Sequence, residues 1–188
     1  YTDTDGDGVL DCNEVVGCQD AEADNYNPNA TDAGTCNYNG CTDAEAQNYN
    51  PGANVDNGSC SYLVTFRVNM SNEDVSAMGV HLAGGFQGWD PGATFVPAVG
   101  YGIHEITIAL AQGTYEYKFV NGNEWGMDES VGDCGNGGNR VITVSSNATT
   151  EGACFNSCAL CAGCTNPMFA EYSPFNGEDD GTCLTEVV

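Results

Sequence analysis

The sequence predicts a mainly β protein in which an antiparallel β-sandwich lies between small, loop-rich modules stapled by disulfide bonds. Three stretches share one frame, which opens with Gly-Cys, carries a Tyr-polar-Pro turn and closes with Gly-Ser/Thr-Cys. Between the second and third of these stretches, apolar and polar residues alternate with the period of two that is typical of half-buried strands. The chain also has 11 cysteines, which can staple modules that lack an apolar core of their own.

The charge of the chain excludes some partners. Its 27 acidic and 3 basic residues give a formal net charge of −24, whereas nucleic acid is bound by clustered Lys and Arg. We therefore expect no nucleic-acid partner, and an anionic membrane surface is disfavoured for the same reason. No apolar run is long enough for a membrane-spanning helix, so we expect no membrane insertion. The cysteine content favours an extracellular or cell-surface location.

Residues 1–16 contain a calcium-loop pattern. Acidic side chains fall at the first, third, fifth, ninth and twelfth positions of one stretch, and Gly8 at the sixth allows the sharp turn of such a loop. Calcium prefers hard oxygen ligands, so the pattern predicts that this ion is the cofactor. The predicted ligands are the side chains of Asp3, Asp5, Asp7, Asp11 and Glu14 and the carbonyl of Val9. The alternative is an acidic, disordered linker.

The same stretch resembles the thrombospondin type 3 repeat. The DxDxDGxxD core of that family is matched by Asp3, Asp5, Asp7, Gly8 and Asp11. The resemblance covers residues 3–14, and no helical pattern flanks them as in a pair of EF-hands. It implies a structural calcium ion that stiffens an extracellular stalk.

Three Cys-framed repeats, called repeats 1, 2 and 3, occupy residues 17–38, 39–60 and 163–188. The two end cysteines of each repeat are the simplest disulfide pair. Closing a loop of this size stabilises the folded chain by about 3 kcal/mol if the gain comes from chain entropy. The predicted bonds are Cys18–Cys36, Cys41–Cys60 and Cys164–Cys183.

Each repeat places a tyrosine in its turn, at Tyr26, Tyr49 or Tyr172. We expect these rings to pack on the disulfide or on an adjacent module, and a glycan contact is the alternative. The repeats resemble tandem Gly-Cys-x-Asp…Asn-Tyr-Asn-Pro…Gly-Ser-Cys modules of large secreted proteins of marine Bacteroidota. Those modules usually carry a further cysteine where Asp24 and Gln47 stand here, which leaves the disulfide pattern open to differ.

A short motif recurs beside the repeats. Glu14-Val15-Val16 precedes the Gly-Cys of repeat 1, and Glu186-Val187-Val188 ends the chain where another Gly-Cys would follow. We therefore expect a tandem array that continues beyond both ends shown. Further repeats of a longer chain, or other copies of this chain, are the expected partners.

The remaining cysteines are predicted to pair within and next to a Cys-rich linker at 147–162. The preferred pairs are Cys134–Cys154 and Cys158–Cys161, and Cys12 is left unpaired or available to another chain. Cys158, Cys161 and Cys164 form a C-x-x-C-x-x-C run, but an iron–sulfur cluster would need a fourth ligand that the run lacks.

Residues 61–146 have the pattern of the sandwich. Val64, Phe66, Val68 and Met70 alternate with polar residues, and Gly-rich turns separate the later strands. Several short strands with no helix between them are typical of an antiparallel sandwich. The predicted strands lie near 64–70, 79–83, 104–110, 115–119 and 140–144.

The same region resembles the immunoglobulin-like, starch- or glycogen-binding modules of amylolytic enzymes and of the AMP-activated kinase β subunit. The resemblance lies in the segments 82–91, 113–122 and 138–140 and in Trp125. It implies an immunoglobulin-like sandwich that binds glucan without catalysis. The family positions that stack on glucose rings are matched by Trp89 and Trp125, and those that bond hydroxyl groups by Lys118 and Asn139.

Residue chemistry leaves an alternative for these four positions. Both tryptophans lie in Gly-rich loops, where they can present a flat apolar face, but they can also pack over the end of the sandwich. Lys118 is the only lysine of the chain, and it can bind a glycan or pair with Glu116 or Asp128.

The sequence does not predict an enzyme. His81 and His104 fall in predicted strands without a nucleophile, and the loop acids lack an apolar pocket that would raise a carboxyl pKa. Three functions fit the pattern. The first is a calcium-stabilised structural or adhesive segment of an extracellular fibre or stalk. The second is a non-catalytic glucan-binding module of a secreted or surface glycan-utilisation protein. The third is the accessory region of a secreted hydrolase whose catalytic domain lies elsewhere.

Overall fold

The structure, a computed structural model, describes residues 2, 4, 6 and 8–187. The chain divides into two compact units, residues 1–61 and 62–188. The mainly β, disulfide-stapled fold expected from the sequence is confirmed. Among the described residues, no helix has the length and apolar character needed to cross a membrane.

The first unit contains residues 1–16 and repeats 1 and 2, and a two-stranded parallel sheet is formed at each repeat. In each repeat the strand before the opening cysteine pairs with a strand near the closing cysteine, so Val16 lies opposite Asp32 and Asn39 opposite Val55. The strands are β1 (Val16–Gly17), β2 (Asp32–Ala33), β3 (Asn39–Gly40) and β4 (Val55–Asp56).

Both repeats bind the residue that follows their closing cysteine in the same way. In repeat 1, Asn37 N donates to Asn25 Oδ1 (2.7 Å), and Asp24 N donates to Asn37 O (2.8 Å). In repeat 2, Ser61 N donates to Asn48 Oδ1 (2.8 Å), and Gln47 N donates to Ser61 O (2.8 Å). The spacing of the Asn-Tyr dipeptide within the repeat therefore sets where the chain leaves it.

The second unit contains the sandwich and repeat 3. Its strands are β5 (Ser61–Asn69), β6 (Val80–Gly84), β7 (Phe95–Val96), β8 (Ala98–Gly100), β9 (Ile103–Ala111), β10 (Gly113–Val120), β11 (Arg140–Val144), β12 (Ala148–Thr149), β13 (Cys161–Ala162) and β14 (Asn176–Glu178). Two short 3-10 turns lie at Gly85–Gln87 and Gly132–Cys134.

Two four-stranded sheets, in the orders β11-β10-β6-β7 and β12-β5-β9-β8, form the sandwich. In the first sheet, β10 runs antiparallel to β11 and β6, and β6 runs antiparallel to β7. In the second sheet, β8 runs antiparallel to β9, whereas β12 runs parallel to β5. The sheet thus extends to Thr149, past residue 146, where the sequence placed the end of the domain.

Aromatic rings join the inner faces of the two sheets. Phe66 of β5 packs on Tyr117 of β10 and on Phe86, with ring centroids 4.8 and 5.6 Å apart. Phe66 and Phe119 are fully buried. Burial raises the pKa of Tyr117 to about 12, so its phenol stays neutral inside the core.

A buried ion pair fixes the chain that follows the sandwich. Arg140 donates from Nε and Nη2 to the two carboxylate oxygens of Glu129 (2.8 and 2.7 Å). The same Nη2 donates to the carbonyls of Cys154 and Ser157 (3.0 and 2.9 Å). Glu129 also accepts from Phe119 N. One guanidinium therefore ties the sheet to the Cys-rich segment.

All three repeats form the disulfides expected from their frames, Cys18–Cys36, Cys41–Cys60 and Cys164–Cys183, each with a Cα–Cα distance of 4.8 Å. The other predicted pairing is wrong. The structure joins Cys134 to Cys158 and Cys154 to Cys161.

The physical reason for the corrected pairing is long-range strand pairing. Cys154 forms a bridge with Asn69 at the end of β5, and Cys161 Sγ lies 3.9 Å from the carbonyl of the same residue. Both sulfurs are thereby brought to β5, which leaves Cys134 and Cys158 at the surface. Among the described residues, Cys12 is the free cysteine, and it is exposed.

Repeat 3 has the same design with one changed side chain. Cys161 of β13 pairs with Asn176 of β14, again in parallel. Glu171 takes the place of Asn25 and Asn48, and its Oε2 accepts from the main-chain N–H groups of Leu184 and Thr185. Hydrogen bonds from the side chain and the main chain of Thr185 lower the pKa of Glu171 to about 2.

Candidate functional site

The loop after β6 presents Trp89. Gln87 holds this loop from within, because its side-chain amide donates to the carbonyls of Leu82 and Asp90 and accepts from Asp90 N (2.7 Å). Trp89 has a φ of +61°, which is rare for a bulky residue and costs on the order of 1–3 kcal/mol. The fold therefore maintains an unfavourable backbone conformation at the residue that carries the indole.

The loop after β10 presents Trp125. Asn121 N donates to Met127 O (2.9 Å), which closes the loop at its base, and Gly126 N donates to Asp128 Oδ1 (3.0 Å). Gly126 has a φ of +97°, a conformation open to glycine. The side chain of Trp125 at the tip is 49% exposed.

The two loops bring both tryptophans of the chain together. The ring centroids of Trp89 and Trp125 lie 6.4 Å apart, with an angle of 41° between the ring planes. Trp89 is half-buried and Trp125 is exposed. The pair thus forms a shallow aromatic surface outside the buried core of the sandwich.

Lys118 lies on the outer face of β10 and is paired. Its Nζ donates to Asp128 Oδ2 (2.8 Å), and this hydrogen bond is the main cause that lowers the pKa of Asp128. Asp128 follows the loop that carries Trp125, so the ion pair connects this loop to the face of the sheet.

Asn139 immediately precedes β11, whose first residue, Arg140, lies opposite Tyr117 of β10. Asn139 Nδ2 donates to Glu116 Oε2 (2.8 Å), and Asn136 Nδ2 donates to the other oxygen of the same carboxylate. Glu116 and Lys118 share one face of β10 because strand side chains alternate.

The candidate site is therefore an aromatic pair together with polar side chains of β10 and of the loop that precedes β11. Flat aromatic faces stack on the apolar faces of sugar rings, and the amide, ammonium and carboxylate groups can bond hydroxyl groups. Sequence reasoning missed Asn136, and it named Glu116 and Asp128 only as alternative partners of Lys118. Strand alternation on β10 was the signal that could have found Glu116.

The predicted calcium loop is only partly described. Asp3, Asp5 and Asp7 lie outside the described residues. Asp11 accepts from Thr4 N and Thr4 Oγ1 (both 2.8 Å), and hydrogen bonds from Thr2 and Thr4 lower its pKa. Among the described residues, no group of three or more His, Cys, Asp or Glu is placed to hold a metal ion. Glu14 and the carbonyl of Val9 are the two other predicted ligands.

Both histidines are buried in strands. His104 Nδ1 lies 2.9 Å from the carbonyl of Val96. His81 packs edge-on against Phe95, with ring centroids 5.5 Å apart. Neither position adds a group to the candidate site.

Comparison with protein-family models gave no match for this chain. Comparison with curated proteins also gave none. The assignment of function therefore depends on the residues and their geometry.

Proposed function

We propose that the second unit is a non-catalytic glycan-binding module of an extracellular or cell-surface protein, and that its ligand is a glucan. The observation that carries the proposal is the contact between Trp89 and Trp125, which lie in two loops held by hydrogen bonds. Trp125 is 49% exposed beside the half-buried Trp89, and exposed apolar surface of this kind can mark a site for a ligand or partner.

Three features of the structure support glycan binding, and a fourth supports the extracellular location. The strained backbone at Trp89 is typical of a functional position. Lys118 on β10 and Asn139, which immediately precedes β11, are donors that can bond hydroxyl groups of a ligand. Their partners Asp128 and Glu116 accept hydrogen bonds, and carboxylates can receive hydroxyl protons of a sugar as well. The five disulfides are typical of an oxidising compartment.

Replacing Trp89 or Trp125 by alanine is expected to weaken glucan binding about 30-fold or more, since a buried tryptophan at an interface centre contributes roughly 2 kcal/mol or more. Malto-oligosaccharide titration of the full chain, followed by calorimetry and by tryptophan fluorescence, measures this loss. Fluorescence reports on the site directly because the chain has no tryptophan besides these two.

Tyr101→Ala is the matched control for the aromatic pair. Tyr101 is also exposed (59%) and also has a positive φ (+53°), but it lies in the turn before β9. This variant is expected to bind like the wild type. Absence of any binding by the wild type, across a glycan array that includes α-glucans, would refute the proposed function.

A second candidate function is that of a rigid spacer in an extracellular fibre or adhesin stalk, with further repeats or other copies of the chain as partners. The hydrogen bonds that both repeats make to Asn37 and Ser61 favour it, because each repeat binds the main chain of the residue that follows its closing cysteine. Regular filaments in electron micrographs of native material would distinguish the spacer from an isolated binding module.

The spacer candidate includes a structural calcium ion in the loop at residues 3–14. Chelation with EDTA is expected to lower the thermal stability of residues 1–61, by about 2.7 kcal/mol if calcium was present at 100 times its dissociation constant. Differential scanning calorimetry of the full chain measures the change. Asp5→Asn should abolish the response, whereas Glu22→Gln, which removes one charge elsewhere in the same unit, should retain it. An unchanged transition of the wild type in EDTA would contradict the calcium site.

A further inference from the structure

One disulfide differs from the other four in its exposure. Cys134 and Cys158 are both exposed, whereas each of the other bonds of the described chain contains at least one buried cysteine. Exposed disulfides are the ones that thiols reach most readily. The difference in access therefore predicts the order in which the bonds react.

The Cys134–Cys158 bond anchors one compact loop, residues 131–139. Within this loop, Asn136 and Asn139 exchange two main-chain hydrogen bonds (2.8 and 3.0 Å), and Val131 N donates to Gly138 O (3.3 Å). The disulfide connects the loop to the Cys-rich segment that Arg140 holds through the carbonyls of Cys154 and Ser157. The loop is therefore held by main-chain hydrogen bonds and by one covalent cross-link, the Cys134–Cys158 disulfide, which we call the clip.

The clipped loop carries two side chains of the candidate site. Asn136 and Asn139 both donate to the carboxylate of Glu116 on the outer face of β10. The loop is also held by the buried side chain of Val131 and, next to it, by the contact of Ser130 N with Asn156 Oδ1 (3.0 Å). The disulfide adds a covalent cross-link to the Cys-rich segment. Opening the bond therefore loosens the groups that orient Glu116 and Asn139.

We propose that Cys134–Cys158 is a thiol-accessible clip that positions Asn136 and Asn139, so that a low-molecular-weight thiol opens this bond first and thereby weakens ligand binding. This inference rests on the proposed glycan-binding function. Cys134 and Cys158 act as positioning residues, because neither is required to touch the ligand.

The reaction is thiol–disulfide exchange with two equivalents of thiol. The first thiolate attacks one sulfur, forms a mixed disulfide and releases the other as a thiolate, which takes up a proton. A second thiolate attacks the mixed disulfide and releases the remaining protein thiolate and the oxidised thiol dimer. The protein gains two electrons and two protons, and two thiol molecules are oxidised.

The order of reduction tests the first half of the proposal. Cys12 is first blocked with unlabelled iodoacetamide, because it is a free and exposed thiol. Limited treatment with glutathione, alkylation and peptide mass spectrometry should then find Cys134 and Cys158 labelled about tenfold faster than the other cysteines. Earlier labelling of any other pair would overturn the proposal.

A double variant tests the second half. Cys134→Ala/Cys158→Ala is expected to bind malto-oligosaccharide about 3- to 10-fold more weakly, the effect of weakened hydrogen bonds. The matched control Cys164→Ala/Cys183→Ala removes a disulfide that joins no residue of loop 131–139, and it should bind like the wild type. Unchanged affinity of the first variant would overturn the positioning role.

A readout without ligand separates this inference from the proposed function. Hydrogen exchange of the amides of Val131, Asn136 and Asn139 should speed up in the Cys134→Ala/Cys158→Ala variant, while exchange within β5 stays slow. Unchanged exchange in the loop would overturn the clip even if glucan binds. Faster exchange together with no binding by the wild type would support the clip and refute the proposed function.

Discussion

Arg140→Ala is expected to destabilise the second unit by about 3–5 kcal/mol, because it leaves the carboxylate of Glu129 buried without its partner. The side chain of Glu129 is 0% exposed and that of Arg140 is 9% exposed. The variant also loses the hydrogen bonds to Cys154 and Ser157. Urea unfolding of the full chain, followed by the fluorescence of the two tryptophans, measures the change.

Arg67→Ala is the control for this prediction. Arg67 pairs with Glu105 and lies over the ring of Phe175, but both partners of its ion pair are more than a quarter exposed. Partly solvated pairs contribute about 0–1 kcal/mol, so the control should lose far less stability. Equal losses in the two variants would show that burial does not decide the strength of these pairs.

Cys41→Ala/Cys60→Ala is expected to cost about 3 kcal/mol and to unfold repeat 2 locally, since the disulfide restricts the unfolded loop. Apart from Cys41 and Cys60 themselves, the one buried apolar residue of the repeat is Ala46, so packing offers little compensation. Limited proteolysis with mass spectrometry should find new cleavage between residues 41 and 60.

Cys12→Ala provides the comparison for the loss of the disulfide. Cys12 has no disulfide partner, and this variant should resist the protease as the wild type does. Protection of residues 41–60 in the double variant would mean that the hydrogen bonds of Asn48 and the main chain hold the repeat without the covalent bond.

Local patterns predicted much of the fold. The alternation of Val64, Phe66 and Val68 gave β5, and the repeated Gly-Cys frames gave three disulfides, because both depend on residues close in sequence. The pairing of Cys134 with Cys158 could not be found in this way. It depends on the bridge between Asn69 and Cys154, which are far apart in the chain.

The candidate site was predictable in part for the same reason. The Gly-rich surroundings of Trp89 and Trp125 indicated exposed loops, but the contact between the two rings requires loops that follow different strands to meet. The alternation of β10 placed Glu116 and Lys118 on one face. The local sequence did not decide that Lys118 forms its ion pair with Asp128, nor did it indicate that Glu116 accepts hydrogen bonds from two asparagines.

The way each repeat holds its departing chain has a consequence for how such proteins can be assembled. Main-chain groups of Asn37, Ser61 and Leu184 are bound at all three places, and the hydroxyl of Ser61 adds one side-chain hydrogen bond to Asn48. Because main-chain groups are common to all residues, the side chain after the closing cysteine can differ. Indeed, Asn37 leads to another repeat, whereas Ser61 begins a strand of the sandwich. One Cys-framed repeat can therefore serve as an interchangeable connector, which accepts unrelated domains downstream without redesign of its own sequence.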